Sequence, residues 1–301
     1  MGLFDKLKRG SSESPAESKK KPRKKVNVSK RFELMRRGVS GTMSQFYMAK
    51  DRDSDKVIGL KIADPEKTAP FEERFRELKK PPEGRIAVEI EHPNVVTTYE
   101  YGTTTDGKSY VLMEYIKGKG LHKLLYDRES ILEGRRLNLV RQMAESILAV
   151  HRAGFIHRDI CPRNFICAPD CESLKLIDFG LTLPDQEVYH QPGNRTGTPL
   201  YMAPEIIRRR QTDLRVDIFA FGVTAYQTCT YEFPWPVTDT TGLAALSHDT
   251  QKPEDILFHR PRLNKKLAAA IMKCIEANPR DRFHNIKDFL AEIKGCESDD
   301  E

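Results

Sequence analysis

The hydrophobic pattern of this chain changes period once, and that change limits the folds open to it. Residues 32–116 alternate in the manner of strands, with runs such as Lys56-Val-Ile-Gly-Leu-Lys-Ile and Tyr110-Val-Leu-Met-Glu-Tyr between turn-forming Gly, Asp and Ser. From Ile131 the period becomes that of a helix: Leu139, Met143, Ile147 and Val150 mark one apolar face, and Gly154 stands where a helix would stop. The expectation is a two-part α+β chain, a small, mostly antiparallel sheet over about 32–116 and a larger, mainly helical region over about 117–295.

Charge separates from this body. The formal net charge is +6, yet residues 1–31 hold eleven Lys and Arg against three Asp and Glu, leaving 39 basic and 41 acidic side chains elsewhere. Residues 1–31 are Ser-, Glu-, Pro- and Lys-rich with little to bury, and read as a disordered basic tail. Leu3, Phe4 and Leu7 beside Lys6, Lys8 and Arg9 leave open a peripheral contact with an anionic membrane. Lys19–Lys25 has no aromatic residue for base stacking, so nucleic-acid contact there would be non-specific and salt-dependent. A solvated linker is the plainer alternative. No apolar run approaches the roughly 18 residues of a membrane span, and Met1-Gly-Leu-Phe-Asp-Lys lacks a secretory core, so a cytoplasmic protein is expected. Six cysteines without a C-x-x-C pair fit a reducing compartment rather than a zinc ribbon. Residues 296–301 read as a short acidic tail.

Gly102-Thr-Thr-Thr-Asp-Gly-Lys-Ser109 matches the pattern of a phosphate-binding loop. Such a loop needs a helix N-terminus directly after it, whereas strand-type runs lie on both sides here. Asp106-Gly107 between two strands signals a hairpin.

The chemistry concentrates further on. His157-Arg-Asp-Ile-Cys-Pro-Arg-Asn164 is followed fourteen residues later by Asp178-Phe-Gly180. One carboxylate near an acceptor hydroxyl, with an Asp and an Asn for cations, is what phosphoryl transfer needs. Upstream, Lys61 ends the strand Val-Ile-Gly-Leu-Lys; downstream, Gly197-Thr-Pro-Leu-Tyr-Met-Ala-Pro-Glu205 closes the segment. In this order and spacing the motifs resemble the eukaryotic-type protein kinase family over roughly residues 32–294, on its serine/threonine branch.

The resemblance implies a bilobal fold, a small antiparallel sheet lobe with one helix and a larger helical lobe, with ATP and two Mg²⁺ ions, or Mn²⁺ in their place, in the cleft between. It implies Asp159 as catalytic base, Asn164 and Asp178 as metal ligands, and Lys61 on the α- and β-phosphates. A helix-borne glutamate should position Lys61. Glu83 is the first candidate, in the first turn after Pro81-Pro82, with Glu77 and Glu89 also open. The glycine-rich loop would be Val39-Ser-Gly41-Thr-Met-Ser44, ahead of the strand starting at Phe46, with only the middle of three expected glycines in place. Gly59 would face adenine, Met113 would guard the pocket behind it, and Glu114-Tyr-Ile116 would be the hinge that pairs with the base; ordinary strand positions are the alternative for each.

Thr198 in Gly197-Thr-Pro resembles the serine/threonine branch, where its hydroxyl bonds near the catalytic Asp. Cys161 departs from that branch, which places Lys two residues after the Asp, and Arg163 would supply the missing charge on the γ-phosphate. Arg158 implies control by phosphorylation within residues 181–202, where Thr182, Tyr189 and Thr196 carry hydroxyls and Thr196 is preferred. His157 is expected as a packing prop, Asp217 as an anchor for the catalytic loop, and Glu205 with Arg282 as a buried ion pair. The function implied is transfer of the γ-phosphate of MgATP to Ser/Thr hydroxyls of protein substrates, with autophosphorylation. The alternative, drawn from Val39, Ser44 and Cys161, is a nucleotide-binding pseudokinase-like scaffold.

Overall fold

The computed structural model of the chain describes residues 23–37, 43–237 and 244–301. Val39 and Gly41 of the expected glycine-rich loop, the membrane motif between Leu3 and Arg9, and residues 19–22 of the basic run Lys19–Lys25 lie outside the described residues. Among the described residues no helix is long and apolar enough to cross a membrane.

The N-terminal part contains β1 (Arg23–Val26), α1 (Val28–Arg31), β2 (Phe32–Arg37), β3 (Ser44–Asp51), β4 (Lys56–Ala63), α2 (Pro65–Arg74), α3 (Glu83–Glu89), β5 (Thr98–Thr104) and β6 (Ser109–Glu114). The sheet order is β1-β5-β6-β4-β3-β2, antiparallel except where β1 joins β5. Alternation in β4 sends Ile58 and Leu60 to an outer cluster with Phe32, Ala49, Tyr110 and Leu112. It sends Gly59 and Lys61 to the opposite face, toward the helical part. The motif at 102–109 is the β5–β6 hairpin, with Gly107 at φ +85° in its turn.

The single helix expected in this lobe is divided. α2 ends at Arg74 with Phe75 as its C-cap, a turn follows, and α3 starts afresh at Glu83 with Pro82 as its N-cap. α3 lies tightly on the sheet: a Cβ on Gly84 would fall 2.2 Å from Tyr101 Cβ. Phe71 of α2 and Phe75 just after it pack with Leu183 and Tyr189 in a separate small core, and the Tyr189 hydroxyl donates to the Leu78 carbonyl at 2.8 Å.

The C-terminal part runs β7 (Lys119–Gly120), α4 (Leu121–Tyr126), α5 (Arg136–Arg152), β8 (Phe155–Ile156), β9 (Phe165–Cys167), β10 (Leu174–Leu176), β11 (Leu183–Pro184), α6 (Pro204–Ile207), α7 (Arg215–Thr230), α8 (Ile256–His259), α9 (Lys265–Cys274) and α10 (Ile286–Glu292). α7 is buried around nearly its whole circumference and forms the pillar on which α5 and α9 pack. Gly222 permits the close approach of α9, since a Cβ there would meet Cys274 Cβ at 2.6 Å.

Two boundaries drawn from composition are corrected. Residues 23–31, read as part of the tail, form β1 and α1, and Arg31 pairs with Asp51 at 3.0 Å and Glu100 at 2.6 Å. Basic residues at an unpaired sheet edge gain ladder hydrogen bonds that composition does not disclose. Residues 296–301 likewise pack onto the body. α5 has no side-chain cap of its own, and the buried Asp299 carboxylate accepts from its first amides, Arg136 N at 3.1 Å and Leu137 N at 2.7 Å.

Candidate active site

Lys61, at the cleft face of β4, is 7% exposed, and its ammonium lies 2.5 Å from Glu83 Oε1 and 2.8 Å from Asp178 Oδ1. Burial alone would lower the lysine pKa, but Asp178 and Glu83 outweigh it and hold the ammonium above its ordinary value. Burial likewise raises the Asp178 carboxyl, yet Lys61 and the Gly180 N–H bring it below the usual carboxylate range. Glu83 therefore makes the contact, while Glu77 is exposed and Glu89 pairs with Arg85. Gly180 leaves room for the three: a Cβ on it would stand 3.2 Å from Asp178 Oδ1 and 3.7 Å from the Lys61 nitrogen.

Across the cleft, Asp159 Oδ1 accepts both the Thr198 N–H and the Thr198 hydroxyl at 2.8 Å. Asn164 Nδ2 donates to the Asp159 carbonyl at 2.6 Å and to Oδ2 at 3.1 Å. Thr198 reaches Asp159 because Gly197 sits at φ +131° with the Arg158 carbonyl against it, a place no side chain fits. Cys161 is buried with its sulfur 3.6 Å from the Thr198 hydroxyl; burial, then Asp159, push its thiol up to about 12, so it stays neutral at pH 7. Arg163 is exposed in the turn Pro162–Asn164, and among the described residues no ion pair joins it to Asp159 or Asp178. Its charge, after burial, helps hold the His122 imidazole below its usual pKa.

The loop beneath is strained and braced. Arg158 adopts φ +70°, costly for a non-glycine residue. The fully buried Asp217 accepts the Arg158 and His157 N–H groups at 2.7 Å each, and His151 Nε2 lies 2.9 Å from the same carboxylate. Burial would raise the Asp217 carboxyl, but His151, His157 and these amides hold it low. His157 packs edge-on against Phe179 at 5.5 Å, and Arg282 forks onto Glu205 at 2.7 and 2.9 Å. Within 181–202, Thr182 is fully buried and Tyr189 is held in the small core. The Thr196 hydroxyl donates to the Asn194 side chain at 3.0 Å, and the Arg158 guanidinium bonds the Asn194 carbonyl at 3.2 Å.

Along the sheet side, Gly59 faces Met113 across the β4–β6 ladder. Glu114 bonds Thr97 N at 2.7 Å and Lys175 at 2.6 Å; burial would raise its carboxyl, but Lys175 and Thr97 keep it low. Ile116 is half-buried against the main core. Beyond it, Gly118 rests on β9, since a Cβ there would stand 1.9 Å from the Cys167 carbonyl oxygen. Phe46 is a site residue that motif reading passes over. Its ring occupies the space a Gly59 side chain would take, and the available signal was a large residue opposite an unusually small one.

Asn164 and Asp178 offer an amide and a carboxylate oxygen, the hard donors that suit Mg²⁺, which keeps several of its waters. Both bonds to Asp178 fall on Oδ1, and the side chain keeps 38% of its surface exposed, so Oδ2 remains available to a cation.

The protein kinase domain model matches residues 35–292. Serine/threonine-protein kinase pkn3 of Myxococcus xanthus is 30% identical over 86% of this chain and 48% of its own length. A probable serine/threonine-protein kinase of Clostridium acetobutylicum is 30% identical over 87% of this chain and 39% of its own, and PknE of Mycobacterium tuberculosis 29% identical over 86% and 45%. The chain thus spans about half or less of the length of these relatives. With this match over most of its length, on a two-lobed fold that brings Lys61, Asp159 and Asp178 to one cleft, the chain belongs to the protein kinase family.

Proposed function

We propose that this chain is an ATP-dependent protein kinase that transfers the γ-phosphate of MgATP to serine and threonine hydroxyls of protein substrates, itself included. The observation that carries the reading is the closed Lys61–Glu83–Asp178 ion set, tied to the Asp159–Thr198–Asn164 hydrogen bonds where the Ile177 N–H donates to the Asn164 carbonyl at 3.0 Å. Lys61 holds the α- and β-phosphate oxygens, and Glu83 fixes where its nitrogen stands. Asn164 and Asp178 would hold Mg²⁺, which supplies charge neutralisation on the β- and γ-phosphates. Asp159 orients the acceptor hydroxyl and takes its proton as the new oxygen–phosphorus bond forms and the bond to the ADP oxygen breaks. Arg163 stands in for the lysine that Cys161 replaces, since a neutral thiol cannot balance phosphoryl charge. The backbone of Glu114 and Ile116 pairs with the base, and Met113 closes the pocket behind it. Thr196, two residues from the Asn194 carbonyl that Arg158 holds, is the regulatory phosphorylation site. Residues 1–22 would add a salt-dependent contact with an anionic membrane or nucleic acid; a deletion testing this must stop at residue 22, because β1 begins at Arg23.

Acid hydrolysis of a protein labelled by this chain from γ-labelled MgATP tests the reading. Phosphoserine and phosphothreonine are expected. Label mainly on phosphotyrosine would overturn the substrate class, and bound nucleotide with no covalent label would favour the scaffold reading.

A further inference from the structure

The stretch from Arg195 to Arg215 carries five arginines against two carboxylates, in a body that is slightly acidic as a whole. Both carboxylates are already spent: Arg282 forks onto Glu205, and Arg215 onto Asp213 at 2.6 and 3.1 Å. Asp249, which meets the same turn, is forked by Arg208 at 2.7 and 3.0 Å. Arg209 and Arg210 are exposed, and among the described residues neither makes an ion pair.

The backbone beneath them is fixed. α6 closes with the Arg209 N–H on the Ile206 carbonyl at 3.1 Å and the Arg210 N–H on the Glu205 carbonyl at 2.8 Å. That closure needs a left-handed residue, ordinarily glycine, and Arg209 fills it at φ +54°. Two residues beyond Arg210, the Thr212 N–H donates to the His190 carbonyl at 3.0 Å and its hydroxyl accepts from the Arg158 guanidinium at 3.2 Å. The turn is thus bonded both to residues 181–202 and to the residue that precedes Asp159.

We propose that Arg209 and Arg210 recognise an acidic stretch of the protein substrate, so that the chain selects serines and threonines set among aspartates and glutamates. Glycine at position 209 would make the same turn without strain, and the sequence instead keeps a guanidinium there at a backbone cost. Arg163, exposed in the turn after Asp159, adds positive charge near the acceptor. Exposed charges of this kind act on encounter and affinity rather than on the chemical step, so the selection falls on KM.

The inference rests on the proposed function, but its first test does not need phosphoryl transfer. Fluorescein-labelled peptides with a central serine, flanked on both sides by aspartates, by asparagines or by lysines, would be titrated with the protein and followed by anisotropy. Wild type should bind the aspartate peptide about tenfold more tightly than the asparagine peptide, and the preference should shrink as salt is raised. Arg209→Gly with Arg210→Gln should bring the two peptides within about twofold of each other, while the urea midpoint does not fall, because glycine suits the left-handed position. Arg209→Lys with Arg210→Lys, which keeps both charges, should retain most of the preference. In transfer assays the aspartate peptide should show the lower KM at similar kcat, and the lysine peptide should be the poorest of the three without losing transfer altogether. Equal binding of the aspartate and asparagine peptides by wild type, or a preference unchanged in the Gly/Gln double variant, would overturn the proposal. A wild type that prefers the aspartate peptide and phosphorylates none of the three would instead end the kinase reading and leave the acidic-peptide surface standing.

Discussion

Asp217 receives the backbone N–H of Arg158 at 2.7 Å from the first turn of α7, and so holds the left-handed residue that precedes Asp159. The pillar helix thus sets the backbone of the catalytic loop. Asp217→Asn keeps the shape but turns one acceptor into a donor facing an N–H, which should cost about 2 kcal/mol of stability. It should also lower phosphate transfer by about a hundredfold through misplacement of Asp159. Urea unfolding and initial transfer rates measure the two; transfer at the wild-type rate would show that the loop holds its geometry without this anchor.

The bond from Tyr189 to the Leu78 carbonyl ties residues 181–202 to the turn that carries the chain from α2 to α3. Tyr189→Phe keeps the ring among Phe71, Phe75 and Leu183 and removes only the hydroxyl. Loss of about 1 kcal/mol should speed amide exchange in residues 75–80 by about fivefold. Unchanged exchange there would mean that ring packing alone holds the turn.

Asp299→Ala removes the cap that a distant residue places on α5. The urea midpoint should fall by the equivalent of about 1–2 kcal/mol at constant m. Transfer at 25 °C should be unchanged. An unaltered midpoint would return residues 296–301 to the status of a solvated tail.

His248 packs against both the Trp235 and Phe219 rings with Nδ1 2.9 Å from the Met202 carbonyl, and burial brings its pKa down to about 4. The folded imidazole stays neutral while the unfolded one binds a proton below about 6.5, so stability falls as pH drops through that window. Between pH 7 and 5 this group contributes a loss of about 2 kcal/mol. His248→Phe should lower stability at pH 7 and flatten its dependence on pH over that interval. A slope equal to that of wild type would show that other groups carry the acid sensitivity.

The motif residues were legible because their chemistry dictates type and spacing together: Lys61, Asp159 with Asn164, and Asp178 come together from three separate stretches of chain. Glu83 was legible from its place nine residues before His92-Pro-Asn-Val-Val and from the helical face it shares with Ile86, Ala87 and Ile90, although Pro81-Pro82 puts it in the first turn. Other features turn on partners far along the sequence. Nothing near Arg23 announces that β5 offers an open edge, and nothing near Asp299 announces uncapped amides at Arg136 and Leu137. Phe46 was read only as the start of a strand because its packing depends on the absent side chain at Gly59, thirteen positions away.

Labelled phosphate passing from γ-labelled MgATP to a generic basic protein tests the central claim most directly, with Asp159→Asn run beside wild type. The prediction is transfer by wild type with a loss of at least about a hundredfold in the variant, while both bind MgATP alike. Wild-type transfer no greater than that of the variant, with nucleotide still bound, would contradict it.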